Sequence, residues 1–252
     1  MTKSKTWRLD VHTHYGRWPF PIQSDTLAAV RRLMQRFEIE ACVMSSAEAI
    51  VSDMVAGNSR LSEAIRNEAG LYGYVVVNPH YPEESREELN RHLDGEKFVG
   101  VKIHCGYCRL GCGAPAMQAL FDEVVARGRP LLIHAGAGDW PALSALAERA
   151  PHLPIILAHG LFLDWETAVA GAAEHPNVYL DFCSSFTPRP KIEAARERAG
   201  ANKMLFGSDL TLLSPAFVLG PFEEVGLSET EKALVYHGNA ERVFPALARR
   251  PA

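Results

Sequence analysis

Six side chains able to bind a transition metal or move a proton close short apolar runs in this sequence. The first run ends Asp10-Val11-His12-Thr13-His14, the fourth Val101-Lys102-Ile103-His104, and the fifth Leu132-Ile133-His134. The sixth ends Leu157-Ala158-His159 and the eighth Phe206-Gly207-Ser208-Asp209. Strand side chains alternate with period two, so His12 and His14 share one face. Paired imidazoles at an element's end pack poorly and suit a transition metal. One such histidine alone reads as a satisfied polar residue. Five of the ten histidines at run ends, beside an aspartate, do not. His134, His159 and Asp209 then arrive from other strands to complete, with His12 and His14, a site of nitrogen and oxygen ligands.

These groups must be delivered by the elements that carry them. Apolar, β-branched runs cover 7–12, 39–45, 71–78, 98–104, 130–134, 154–159, 177–181 and 203–209. Stretches with apolar residues every three or four positions lie between them, at 27–37, 85–93, 117–127, 142–150, 167–174 and 192–198. The run ends recur with a mean spacing of about 28 residues, one strand and one crossover helix each. Eight such units predict an α/β fold, the (β/α)8 TIM barrel, as one domain over 1–252. The rival, an open doubly wound sheet, usually carries G-x-G-x-x-G after an early strand, and none occurs here. In a barrel, chemistry gathers where the strands end. The polar termini fall there.

At this point the chain resembles the amidohydrolase superfamily, in its amidohydrolase-related branch of metal-dependent hydrolases and decarboxylases. The resemblance rests on the run ends above, with Pro130-Leu131, Ala158-His159-Gly160, Asn177-Val178-Tyr179-Leu180-Asp181 and Gly238-Asn239-Ala240-Glu241-Arg242-Val243-Phe244 in order. It implies that His12, His14, His134 and Asp209 hold one divalent metal, zinc first, with manganese or iron as alternatives and a second ion left open. It implies Asp209 and His159 as catalytic residues, Asp209 taking a proton from metal-activated water. His104 and Tyr107 would line the substrate site, and Arg17 would pair with a substrate carboxylate. Lys102 is read as reaching into the barrel one layer below His104, with metal bridging after carboxylation the minor alternative. The implied activity is hydrolysis of a C–O or C–N bond in a small, carboxylated or cyclic substrate. Non-oxidative decarboxylation is the alternative, and a non-catalytic binding barrel a further one. Length favours hydrolysis, since the branch's decarboxylases tend to be longer.

Composition narrows the partners. The 26 basic and 30 acidic residues give a net charge of −4, which leaves no basic excess for nucleic acid. No apolar run approaches a membrane span, and the N-terminal six residues lack a signal peptide's apolar stretch, so a cytoplasmic protein is expected. The partner is a small-molecule substrate, and homo-oligomerisation is compatible with the sequence. Five cysteines favour reduced thiols. Cys105, Cys108 and Cys112 form C-x-x-C-x-x-x-C, one ligand short of the usual zinc or iron–sulfur set, and read as thiols lining the loop after His104. His92, His152 and His175 read as surface groups, and the last four residues as a frayed tail.

Overall fold

The computed structural model describes residues 7–22, 26–136, 138–184 and 187–248. The N-terminal stretch and the C-terminal tail discussed above lie outside them. Eight parallel strands pair strictly in chain order: β1 (Arg8–Tyr15), β2 (Ile39–Ser46), β3 (Leu71–Val76), β4 (Phe98–His104), β5 (Leu131–His134), β6 (Ile155–Leu157), β7 (Val178–Asp181) and β8 (Met204–Leu205). Backbone hydrogen bonds from Val11 N–H to the Phe206 carbonyl (2.9 Å) and from Asp209 N–H to the His12 carbonyl (2.8 Å) join the last strand to the first. The result is the expected (β/α)8 barrel.

Helices follow the strands because their apolar faces have only the sheet's outer surface to cover. Leu27–Arg36 begins where the Thr26 side chain accepts from Ala29 N–H, and it buries Ala29, Val30 and Met34. Pro82–Leu93 and Pro115–Arg127 open with proline, whose missing N–H costs nothing in a first turn. The structure adds helices at Ala47–Val51 and Met54–Ile65, and beyond β8 at Ala216–Glu224, Glu229–Ala233 and Asn239–Val243. Among the described residues no helix is long and apolar enough to cross a membrane.

Among the described residues two large apolar cores lie on the two sides of the sheet, and a smaller cluster joins Trp18, Ala47, Ala49, Ile50 and Val76. The outer one contains Met44, Val75, Ile103, Ile133, Leu157 and Phe206, with the helix faces. The inner one fills the barrel with Leu9, Val11, Val43, Tyr74, Leu132, Ile156 and Leu205, closed below by Val243 and Phe244. Tyr74 fits because its hydroxyl donates to the Val11 carbonyl (2.7 Å) and because residue 100 is glycine. A Cβ there would stand 2.8 Å from the Tyr74 ring.

Candidate active site

Strand parity decides what faces the mouth. Leu9 and Val11 point inward, so uninterrupted alternation would send His12 and His14 outward. Between Asp10 and Thr13, however, β1 spends three steps where β2 spends two, from Cys42 to Met44. This one-residue bulge turns His12 and His14 into the barrel, the usual effect of a bulge at a barrel rim. The freed His12 N–H is satisfied by Asp10 Oδ1 (3.2 Å), which also accepts from Ser208 N–H (3.0 Å) and so ties the bulge to the segment after β8. On β5, β7 and β8 simple alternation suffices: His134, Asp181 and Gly207 each stand two residues beyond an inward Leu132, Tyr179 and Leu205.

Each ring of the pair is oriented by a hydrogen bond at its rear. His12 Nδ1 lies 3.0 Å from Asp181 Oδ2 and His14 Nδ1 2.9 Å from Ser45 Oγ. Both Nε2 atoms are thereby turned to the interior, the arrangement a buffered metal-binding imidazole needs. His14 Nε2 is 3.0 Å from Asp209 Oδ1, and one donor atom from each of His12, His14 and Asp209 falls within a 4.8 Å group. Gly207 makes the approach possible, since a Cβ there would lie 3.0 Å from His12 Cβ and 3.2 Å from Asp181 Cβ. Asp209 itself adopts φ +60°, a strained conformation for a non-glycine residue.

His134 reaches the same cavity by a different route. His159 Nδ1 is hydrogen-bonded to the Cys183 carbonyl, which can only accept, so that nitrogen carries the proton. Its Nε2 then accepts from His134 Nδ1 (3.2 Å), leaving His134 Nε2 as a lone pair. His134 also stacks on His104, ring centroids 3.7 Å apart. His159 is held by a turn of positive φ running from His159 to Phe162, whose first and last carbonyls accept from the buried Lys191 ammonium (2.5 and 3.3 Å).

The residues fit a divalent cation. Asp209 Oδ1 is buried and, among the described residues, has no hydrogen bond of good geometry despite its closeness to His14. Burial lowers His12 to about 3, with Lys102 adding to it, and lowers His14, His104 and His134 in the same direction, so the rings are in the neutral, ligating form. Burial would raise the Asp209 carboxyl, yet His14 beside it, with His12 and His159, holds it below the usual range. Lys102 Nζ stands 3.2 Å from His12 Nε2, and burial brings its pKa down to about 8 against the pull of Asp181. A metal at His12 would take the Nε2 lone pair that now faces the Lys102 amine.

His14, His104, His134, His159, Asp209 and Tyr107 line one cavity of about 400 Å³. Trp18, Phe20 and Phe162 complete its wall, and Trp18 Nε1 is buried with no acceptor among the described residues. Arg17 is exposed and lines a neighbouring cleft with Glu48 and Arg60 instead. His92 is not a surface group: it is 8% exposed, against Phe98 and Glu88. Sequence reasoning gave no role to Asp181, Ser45, Cys183 or Trp18. Asp181 was the one within reach, because it ends its run as the histidines end theirs. Cys183 Sγ lies 2.8 Å from Asp181 Oδ1 and 3.1 Å from His12 Nδ1, a contact made only by folding.

The amidohydrolase family model matches residues 9–246. No curated protein matches the sequence. A 2,6-dihydroxybenzoate decarboxylase from Rhizobium superposes with TM-score 0.74 at 16% identity, over 95% of this chain and 99% of that one. A dihydroxybenzoic acid decarboxylase from Polaromonas sp. JS666, with bound manganese and 2-nitroresorcinol, gives 0.74 at 19%, over 97% and 98%. An amidohydrolase from Burkholderia multivorans with bound zinc gives 0.73 at 17%, over 95% and 99%. At these identities the likeness is one of fold.

Proposed function

This chain belongs to the amidohydrolase family, and from that premise we propose that it is a metal-dependent hydrolase cleaving a C–O or C–N bond of a small molecule at the barrel mouth. The observation that carries the reading is Asp209, a buried carboxylate held ionised, with one oxygen unmatched and facing a cavity of about 400 Å³. His12, His14 and Asp209 would hold the metal, with His134 Nε2 turned to the same space. Zinc and manganese both suit this donor set, and each is bound in one of the related structures. When bound, such an ion supplies Lewis acidity and a water of pKa about 7.

The chain's own groups do the rest. Asp209 accepts the proton of the attacking water at Oδ1. His159, its ring fixed at the Cys183 carbonyl, takes that proton from Asp209 on its Nε2 lone pair and passes it to the leaving oxygen or nitrogen. Trp18, Phe20, Tyr107 and Phe162 give the substrate a flat apolar seat, and the unmatched Trp18 N–H donates to one of its oxygens.

Decarboxylation of a planar acid is the second reading. The aromatic wall favours it, because an apolar seat destabilises a carboxylate more than the neutral carbon dioxide it becomes. The match over 99% of the Rhizobium decarboxylase also removes the force of the length argument. A panel of lactones, esters, amides and aromatic acids, assayed in ¹⁸O-labelled water and in D₂O, separates the two. Label in the product supports hydrolysis. Stoichiometric carbon dioxide with deuterium on carbon overturns it in favour of decarboxylation.

A further inference from the structure

A second group of metal-binding side chains lies outside the histidine cavity. Cys105 directly follows β4, and the chain then turns through Cys105–Cys108 and returns to place Cys112 Sγ 3.7 Å from Cys105 Sγ. Both thiols are buried, Cys112 completely. Asp139, from the loop after β5, meets them: its Oδ1 accepts from Cys112 N–H (2.7 Å) and its Oδ2 from Gly136 N–H (3.0 Å). One donor atom from each of Cys105, Cys112 and Asp139 falls within 4.8 Å of the others. Cys108, which the spacing groups with the other two, is not in the set; its Sγ turns to the Cys105 carbonyl (3.5 Å).

The geometry points to a second cation site, in which Cys105, Cys112 and Asp139 hold a thiophilic divalent ion of the zinc class. Two thiolates bound tetrahedrally at about 2.3 Å stand roughly 3.8 Å apart, so the sulfurs need not move to accept it. A disulfide requires them to close to about 2.05 Å. The carboxylate completes an S₂O set, and the cleft beside it, lined by Gly111, Gly136 and His134, leaves a fourth position for water. Binding converts two thiols to thiolates and releases two protons to solvent. The ion would clamp the loop bearing Tyr107 to the loop after His134, fixing one wall of the substrate cavity.

Cadmium is the probe, because its bond to thiolate absorbs in the ultraviolet. The full-length reduced chain is stripped by chelator, then titrated with Cd²⁺ and followed by that absorption and by elemental analysis. The expected result is a thiolate band that persists in His12→Ala/His14→Ala and disappears in Cys105→Ser/Cys112→Ser, with one cadmium fewer per chain. Asp139→Asn keeps both thiols and should weaken the band-forming affinity roughly 10–100-fold, which tests the site even if the double serine variant folds poorly. Three results would overturn the assignment: a band surviving in the serine variant, which traces it to the remaining thiols of Cys42, Cys108 and Cys183; no band in the wild type; or isolation of the chain with Cys105 and Cys112 joined as a disulfide and no metal bound after reduction.

Discussion

Leu132 and His134 are neighbours on the same face of β5, yet one belongs to a sealed apolar floor and the other to a polar mouth. The same holds for Val43 and Ser45 on β2, and for Tyr179 and Asp181 on β7. Two residues, about 7 Å along a strand, separate a layer that makes stability from a layer that makes chemistry. The floor needs only apolar volume that fills the space. The mouth instead gathers buried polar groups whose mutual hydrogen bonds keep atoms such as His12 Nε2 and Asp209 Oδ1 aimed at a common point. The division of labour teaches that stability and activity should respond separately to substitution.

The largest expected separation comes from Asp209→Asn, which removes the carboxylate proposed as proton acceptor and metal ligand. Turnover should fall roughly 10²–10⁴-fold while the circular dichroism and denaturation midpoint stay near wild type. Wild-type turnover in this variant would break the assignment of the mouth. The converse is Leu132→Ala, which opens a cavity in the fully buried floor. It should cost about 2–5 kcal/mol by denaturant unfolding, with kcat per folded molecule preserved. A comparable loss of kcat would show that the two layers are not independent.

Asp181→Asn sharpens the boundary between them, since Asp181 does not line the cavity and acts through His12 Nδ1 and the His159 N–H that it holds. Metal affinity, read by competition with a chelator, should drop about 10–100-fold. Gly207→Ala pushes a methyl against His12 and Asp181; overpacking there should cost about 1–3 kcal/mol and lower metal content by the same displacement. Smallest is Trp18→Phe, which keeps the apolar wall and deletes the unmatched N–H. KM should rise roughly fivefold at unchanged kcat, the worth of one neutral hydrogen bond.

All eight strands were legible because each is an apolar run bounded by polar or turn residues, and the crossover length left few alternatives. β8 was read longer than it is: Lys203–Asp209 pairs as a ladder only over Met204–Leu205, because the backbone then leaves to meet His12 and His14. The ligand candidates were visible for the same reason as the strands, standing at their ends. Arg17 was singled out by charge and nearness to His14, and charge does not tell which cleft a loop side chain enters. Asp139 was not visible as a partner of Cys105, since 34 positions separate them and only the pairing of β4 with β5 brings their loops together.

The sequence by itself determined the repeating strand–helix order, the barrel, the family and the residue types at the mouth. Those follow from periodicities and spacings that one pass along the chain contains. Tertiary structure decided where those residues aim. Simple alternation from Leu9 and Val11 would have put His12 and His14 among the helices, and a bulge of one residue against β2 reverses them. Such a slip is written in the register between two strands and in the hydrogen bond that Asp10 Oδ1 accepts from Ser208 N–H beyond β8. Neither is a property of β1 alone, so no reading of that segment could have found it.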